Sequence, residues 1–136
     1  MAWEAAAEEV GRLLAERGCV VVTGGLGEVM AAAHRGAAGA GGTTLAVLPG
    51  ESLGEANPWA QHVVATGTGH ARNLAVAASA DAVIAVGGSH GTLSEIAFAL
   101  RLGRPTVVLA GGLAVQGTIP AATPAAAVEA ALSALG

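Results

Sequence analysis

Residues 19–30 read CVVVTGGLGEVM and residues 82–95 read AVIAVGGSHGTLSE. Each is a short, wholly apolar run that breaks on a glycine pair and then turns helical. An apolar run of this length without polar alternation suits a strand buried on both faces, the habit of parallel sheets. The glycines then fall at the carboxyl end of the strand, where open parallel sheets bind ligands.

The flanking sequence carries the same pattern. Residues 3–17 form an amphipathic helix, with Trp3, Ala6, Ala7, Val10, Leu13 and Leu14 on one stripe and Glu8, Glu9, Arg12 and Glu16 opposite. Gly18 caps it. Strands are expected at Cys19–Val22, Thr43–Leu48, Val63–Ala65, Ala82–Val86 and Pro105–Ala110. Helices are expected at Val29–Ala38, His70–Ser79 and Thr92–Leu102, and a last one is opened by Thr123 as N-cap and Pro124 in the first turn. Residues 51–60 and 111–122 read as irregular. The alternation predicts one α/β domain over residues 1–136, a Rossmann-like three-layer sandwich with a mainly parallel sheet.

Composition removes several function classes. Hydrophobic residues are 53% and charged residues 12%, too apolar for a disordered chain. There is no lysine, hence no Schiff base for pyridoxal phosphate and no Walker lysine. Asp81 is the only aspartate and Cys19 the only cysteine, so paired aspartates, an internal disulfide and a cysteine-rich zinc site are excluded. His34, His62, His70 and His90 lack metal-ligand spacing, and no metal is expected. With a net charge of −4 and no basic cluster, a nucleic-acid partner is not expected. No apolar run reaches the roughly 18 residues of a membrane span. The acidic N-terminus is unlike a secretory signal, so a cytoplasmic protein is expected.

The two glycine loops are the candidate ligand site. Both lead into helices, whose N-termini offer unpaired N–H groups and partial positive charge to an anion. The candidate phosphate-binding residues are Gly24, Gly25, Gly27, Arg72, Asn73, Gly87, Gly88, Ser89, His90, Gly91 and Thr92. Glu95 is the acid of interest, although Thr92-Leu93-Ser94-Glu95 also reads as a capping box that would occupy it. Arg72 opens a helix against the dipole, which an anionic partner, Glu95 or a phosphate, would explain. Glu28 at a helix start reads at least equally as a plain cap. Trp59, beside Asn57 and Pro58, is either a ring for stacking or a hydrophobic plug.

Taken together, Val22-Thr23-Gly24-Gly25-Leu26-Gly27 with Met30, Leu48-Pro49-Gly50, Thr66-Gly67 with Ala71-Arg72-Asn73, and Gly87 through Glu95 resemble the SLOG superfamily. That group holds the LONELY GUY phosphoribohydrolases, proteins labelled lysine decarboxylases, and molybdenum-cofactor carrier proteins. The Arg-Asn pair and the Thr-Gly before it look more like the carrier branch. The resemblance implies a bound nucleotide or phosphorylated pterin such as molybdenum cofactor, with no cofactor required, and a homo-oligomer, dimer or tetramer. Under the hydrolase pattern P-G-G-x-G-T-x-x-E, Glu95 and Arg72 would be the catalytic pair, but Gly87 replaces the proline and Ser89 a glycine. A non-catalytic structural subunit is the third alternative. The family also begins with a central strand that this chain lacks, which predicts two unpaired sheet edges. Alanine-rich faces at 31–33 and 125–131 are expected to permit close packing between subunits.

Overall fold

The computed structural model describes residues 2–136. It has α/β architecture with parallel sheets flanked by helices. Two compact units divide the chain, one running to Arg72 and the other from Asn73 onward. In the first, α1 (Ala2–Glu16), β1 (Val21–Thr23), α2 (Val29–Gly39), β2 (Thr44–Leu48) and β3 (His62–Ala65) build a parallel sheet ordered β1-β2-β3. In the second, α3 (Arg72–Ser79, whose first residue belongs to the first unit), β4 (Val83–Ala85), α4 (His90–Arg101), β5 (Thr106–Leu109), β6 (Ile119–Ala121) and α5 (Pro124–Leu135) accompany a parallel sheet ordered β4-β5-β6.

The pairing explains the burial. β2 and β5 are the central strands, and both are almost wholly buried, down to 0% exposure at Ala46, Leu48 and Val107. Their unbroken apolar sequences fit a strand covered on both faces. The hydroxyl of Thr44, also buried, donates to the Trp59 carbonyl at 2.7 Å and accepts from the Gln61 amide at 2.8 Å. In the second unit Ala85, Ile96 and Val108 form a core flanked by Leu100, Leu113 and Val115.

The parallel α/β class holds, and the strands fall in two three-stranded sheets with β1 and β4 each standing at a sheet edge. Several boundaries differ from expectation. The first strand starts at Val21 rather than Cys19 because the chain is still closing α1. Gly18 has φ 78°, and the Cys19 amide reaches back to the Leu14 carbonyl at 3.0 Å, a Schellman-type closure. Residues 119–121, expected as loop, form β6. Pro120 lies within it and is tolerated because β6 is an edge strand, where a missing N–H need not break a ladder. The helix expected from His70 is a short 3₁₀ turn, 69–71, followed by α3 from Arg72. At the other end of the chain the expected cap holds: the Thr123 hydroxyl accepts from the Ala126 amide at 3.1 Å.

The alanine-rich faces are used inside the chain. Ala32 is 0% exposed, and α1 and α2 cross with Gly11 of one against the Ala33 carbonyl and Gly36 of the other against the Glu8 carbonyl. The Arg35 guanidinium meets Glu8 at 3.1 Å across the same pair. Ala127, Val128 and Ala131 bury α5 in the second unit.

Candidate functional site

In the first unit, the loop after β1 is shaped by three glycines with three different duties. Gly25 needs to be glycine twice over, because its φ is 79° and a Cβ there would lie 2.5 Å from Ala46 Cβ and 2.8 Å from Leu48 Cδ2. Gly24 makes room for Arg72: a Cβ on Gly24 would fall on the Arg72 guanidinium, with Met30 Sδ 2.9 Å away. Gly27 faces open space. The bare Gly24 thus leaves the space that the Arg72 guanidinium occupies. Arg72 itself is 8% exposed, a buried cation beside the carboxyl end of β1.

Glu28 departs from its expected role. It stands at the N-cap of α2, but its side chain makes no cap hydrogen bond. Its backbone has φ 55° and ψ −118°, a region costly for any side-chain-bearing residue. The carboxylate is exposed.

The loop rests on a buried polar network that the motifs do not contain. Asn57 Nδ2 shares its two N–H groups among three acceptors, the carbonyls of Gly25 (3.2 Å) and Leu26 (3.1 Å) and His34 Nδ1 (3.2 Å). Asn57 Oδ1 accepts from the Trp59 amide at 3.0 Å, which fixes the orientation of the amide group. His34 Nδ1 is therefore an acceptor, and the ring proton sits on Nε2, 3.1 Å from Thr23 Oγ1. Thr23 Oγ1 also accepts from the Gly25 amide at 2.9 Å. His34 is 0% exposed and Asn57 9%. A histidine on the apolar stripe of a helix gives no sign of this in sequence; its partners are brought in by the fold. Trp59, 40% exposed, joins through its backbone, with its ring partly open.

Burial pushes the His34 imidazole below the ordinary histidine range. The unfolded chain protonates this group near pH 6.5, as exposed histidine does, and the folded chain only at lower pH. Between those values the unfolded state binds more protons, so stability is full above about pH 6.5 and falls as pH drops. The loss from this group is confined to that window and levels off below the folded-state value. Urea unfolding between about pH 7 and pH 5 should show a His34→Asn variant lacking that component.

In the second unit the loop after β4 places Gly87 at φ 102°, then Gly88, Ser89 and the start of α4. The N-cap is Ser89, whose Oγ accepts from the Thr92 amide at 3.1 Å and contacts Thr92 Oγ1 at 3.0 Å. Two expectations change. His90 is the first residue of α4, exposed, not part of a free loop. And α4 begins earlier than expected, so Glu95 lies beyond the third helical position and the capping-box reading of it fails. Glu95 is half-buried next to fully buried Ile96. Asn73 Nδ2 donates to Ser94 Oγ at 2.8 Å, and Ser94 Oγ donates to the Gly91 carbonyl at 2.9 Å, so Asn73 braces the first turn of α4. A cavity of about 480 Å³ lies beyond the carboxyl end of β5, lined by Leu109 to Gln116 with Val108, Thr118 and Pro120. Sequence motifs gave no indication of it. It is near the loop, since a Cβ on Gly88 would stand 3.9 Å from Leu113.

The class defined by these features is an α/β protein with glycine loops at the carboxyl ends of parallel strands, each opening a helix. Residues 2–132 match the SLOG cluster4 family, and the chain belongs to it. The fold is similar to the molybdenum cofactor binding protein from Rippkaea orientalis, at 31% identity and TM-score 0.93 over 99% of this chain and 89% of that one. It is similar to the Moco carrier protein from Chlamydomonas reinhardtii at 34% identity and TM-score 0.86, over 98% and 86%. In sequence it is 37% identical to a probable cytokinin riboside 5′-monophosphate phosphoribohydrolase from Oryza sativa subsp. japonica, over 69% of this chain and 39% of that protein. The chain thus spans about two fifths of that relative.

Proposed function

We propose that this protein binds a phosphorylated small molecule, a nucleotide or a phosphorylated pterin such as molybdenum cofactor, at its glycine loops, as a carrier. The observation that supports this most is a set of glycines for which the fold has no use. Gly27, Gly88 and Gly91 have no left-handed φ, and a Cβ on any of them would meet nothing closer than 3.7 Å. Gly91 even sits in the first turn of α4, where alanine is preferred. Bare backbone at a helix N-terminus suits close approach of a phosphate. The 480 Å³ cavity is within the size range of small-ligand sites. Arg72 adds positive charge in the first unit. The structural neighbours named for molybdenum cofactor point the same way.

The test sets stability against binding. Gly91→Ala should raise unfolding stability by about 0.5 kcal/mol or more. The same variant should weaken calorimetric binding of AMP or phosphorylated pterin about tenfold or more. Unchanged affinity in both Gly91→Ala and Gly27→Ala would assign these glycines to the fold alone and leave a structural subunit.

A second reading is a nucleoside 5′-monophosphate phosphoribohydrolase. It is favoured by the position of Glu95, half-buried in α4 beside Ile96, and by the rice relative. Water would replace the base at the ribose anomeric carbon, giving free base and ribose 5-phosphate. Glu95 would stabilise the oxocarbenium-like transition state, and Arg72 would orient the phosphate or Glu95. Release of base from a nucleoside monophosphate panel that disappears in Glu95→Gln would establish it; no release from folded protein supports the carrier. No helix among the described residues is long and apolar enough to cross a membrane. A cytoplasmic location and a homo-oligomeric state, dimer or tetramer, belong to the same proposal.

A further inference from the structure

We infer that Asn57 and His34 are positioning residues for anion binding, holding the Leu26 and Gly27 amides turned outward at the loop after β1. This rests on the phosphate-binding reading above. In a trans peptide the C=O and the following N–H point in opposite directions. The Gly25 carbonyl is drawn inward by the Asn57 amide (2.8 Å) and Asn57 Nδ2, and the Leu26 carbonyl by the same Nδ2. The next N–H in each peptide, on Leu26 and then Gly27, is therefore turned away from Asn57. Two successive N–H groups aimed to one side make a small anion-binding concavity. Gly27 leaves that side open.

His34 sets Asn57. Its Nδ1 accepts from Nδ2, and its Nε2–H reaches Thr23 Oγ1, which also holds the Gly25 amide. The ring thereby ties α2 to both ends of the turn. A purely structural brace would affect stability alone; a positioning role moves affinity separately.

The experiment uses the full chain, with AMP and inorganic phosphate as probes. Affinity is read by calorimetry, amide shifts by NMR and folding by thermal melting. In the wild type, the Leu26 and Gly27 amides should be among those that shift on titration. His34→Asn keeps an acceptor near Nδ1 and should bind within about threefold of wild type. His34→Gln keeps a donor near Nε2 but loses the acceptor for Asn57, and should bind about tenfold more weakly. Asn57→Asp replaces the donor facing two carbonyls with an acceptor and should bind weakest of all. Equal, undiminished affinity in folded His34→Gln and Asn57→Asp would overturn the inference. So would binding that shifts only amides of residues 87–92, which leaves phosphate binding intact and moves it to the other loop. If the wild type binds neither probe nor a phosphorylated pterin, both readings fall. Should Asn57→Asp fail to fold, the contrast between His34→Asn and His34→Gln decides alone.

Discussion

Gly36→Ala should lower the stability of the protein by about 2–3 kcal/mol, even though alanine is the better helix former. A Cβ on Gly36 would run into the Glu8 carbonyl of α1, with the Arg12 amide nitrogen 3.1 Å away. Those atoms belong to a helix backbone and cannot turn aside as a side-chain tip would. The helices must therefore separate, and the apolar contact around Ala32 and Ala37, both 0% exposed, loosens with them. Gly11→Ala should act alike, because its Cβ would meet the Ala33 carbonyl. Gly39 provides the control within the same helix. Nothing lies within 4 Å of its Cβ position, so Gly39→Ala should be neutral or stabilising. Urea unfolding followed by circular dichroism measures all three. Equal midpoints for Gly36→Ala and Gly39→Ala would mean that α1 and α2 do not cross at backbone contact.

On the phosphate-binding proposal, Gly24→Ala should lower ligand affinity by acting through Arg72. Its Cβ claims the space of the guanidinium, and Arg72 has a flexible stem that can leave. The fold is thus spared much of the cost while the cation is displaced from the end of β1. A charge-assisted Arg–phosphate contact contributes about 1.5–3 kcal/mol, so a loss of roughly 10- to 100-fold is expected. Arg72→Gln should lose a similar factor. The double variant should lose little more than either single one, because the same contact is removed twice. Additive losses in that cycle would show that Gly24 and Arg72 act separately, for instance with Gly24 touching the ligand itself.

The legible part of the site was the part made by local chemistry. Glycine pairs after apolar runs announced the two loops, and both loops do open helices. Ser89 shows the limit of such reading. It and Thr92 are both good cap residues, spaced like the start of a capping box, and the sequence favoured Thr92 with Glu95 three residues on. The chain uses Ser89, which carries the helix start upstream and leaves Glu95 beyond the capping positions. His34 shows a different limit. Its partners are Thr23 and Asn57, and the latter is 23 residues away, so no local pattern could reveal that this histidine is the hub of a buried network.

The sequence alone determined the order of the helices and of five of the six strands, their α/β class and the position of the glycine loops. Hydrophobic period, φ preference and hydroxyl capping act over a few residues, and the chain states them directly. Tertiary structure decided how six strands divide into two three-stranded sheets, because hydrogen-bond pairing is set between strands far apart in sequence. It also decided what surrounds each glycine. Gly24 yields to Arg72, Gly25 to a left-handed turn against β2, and Gly27 to open space, a distinction that exists only once distant residues have been packed around them.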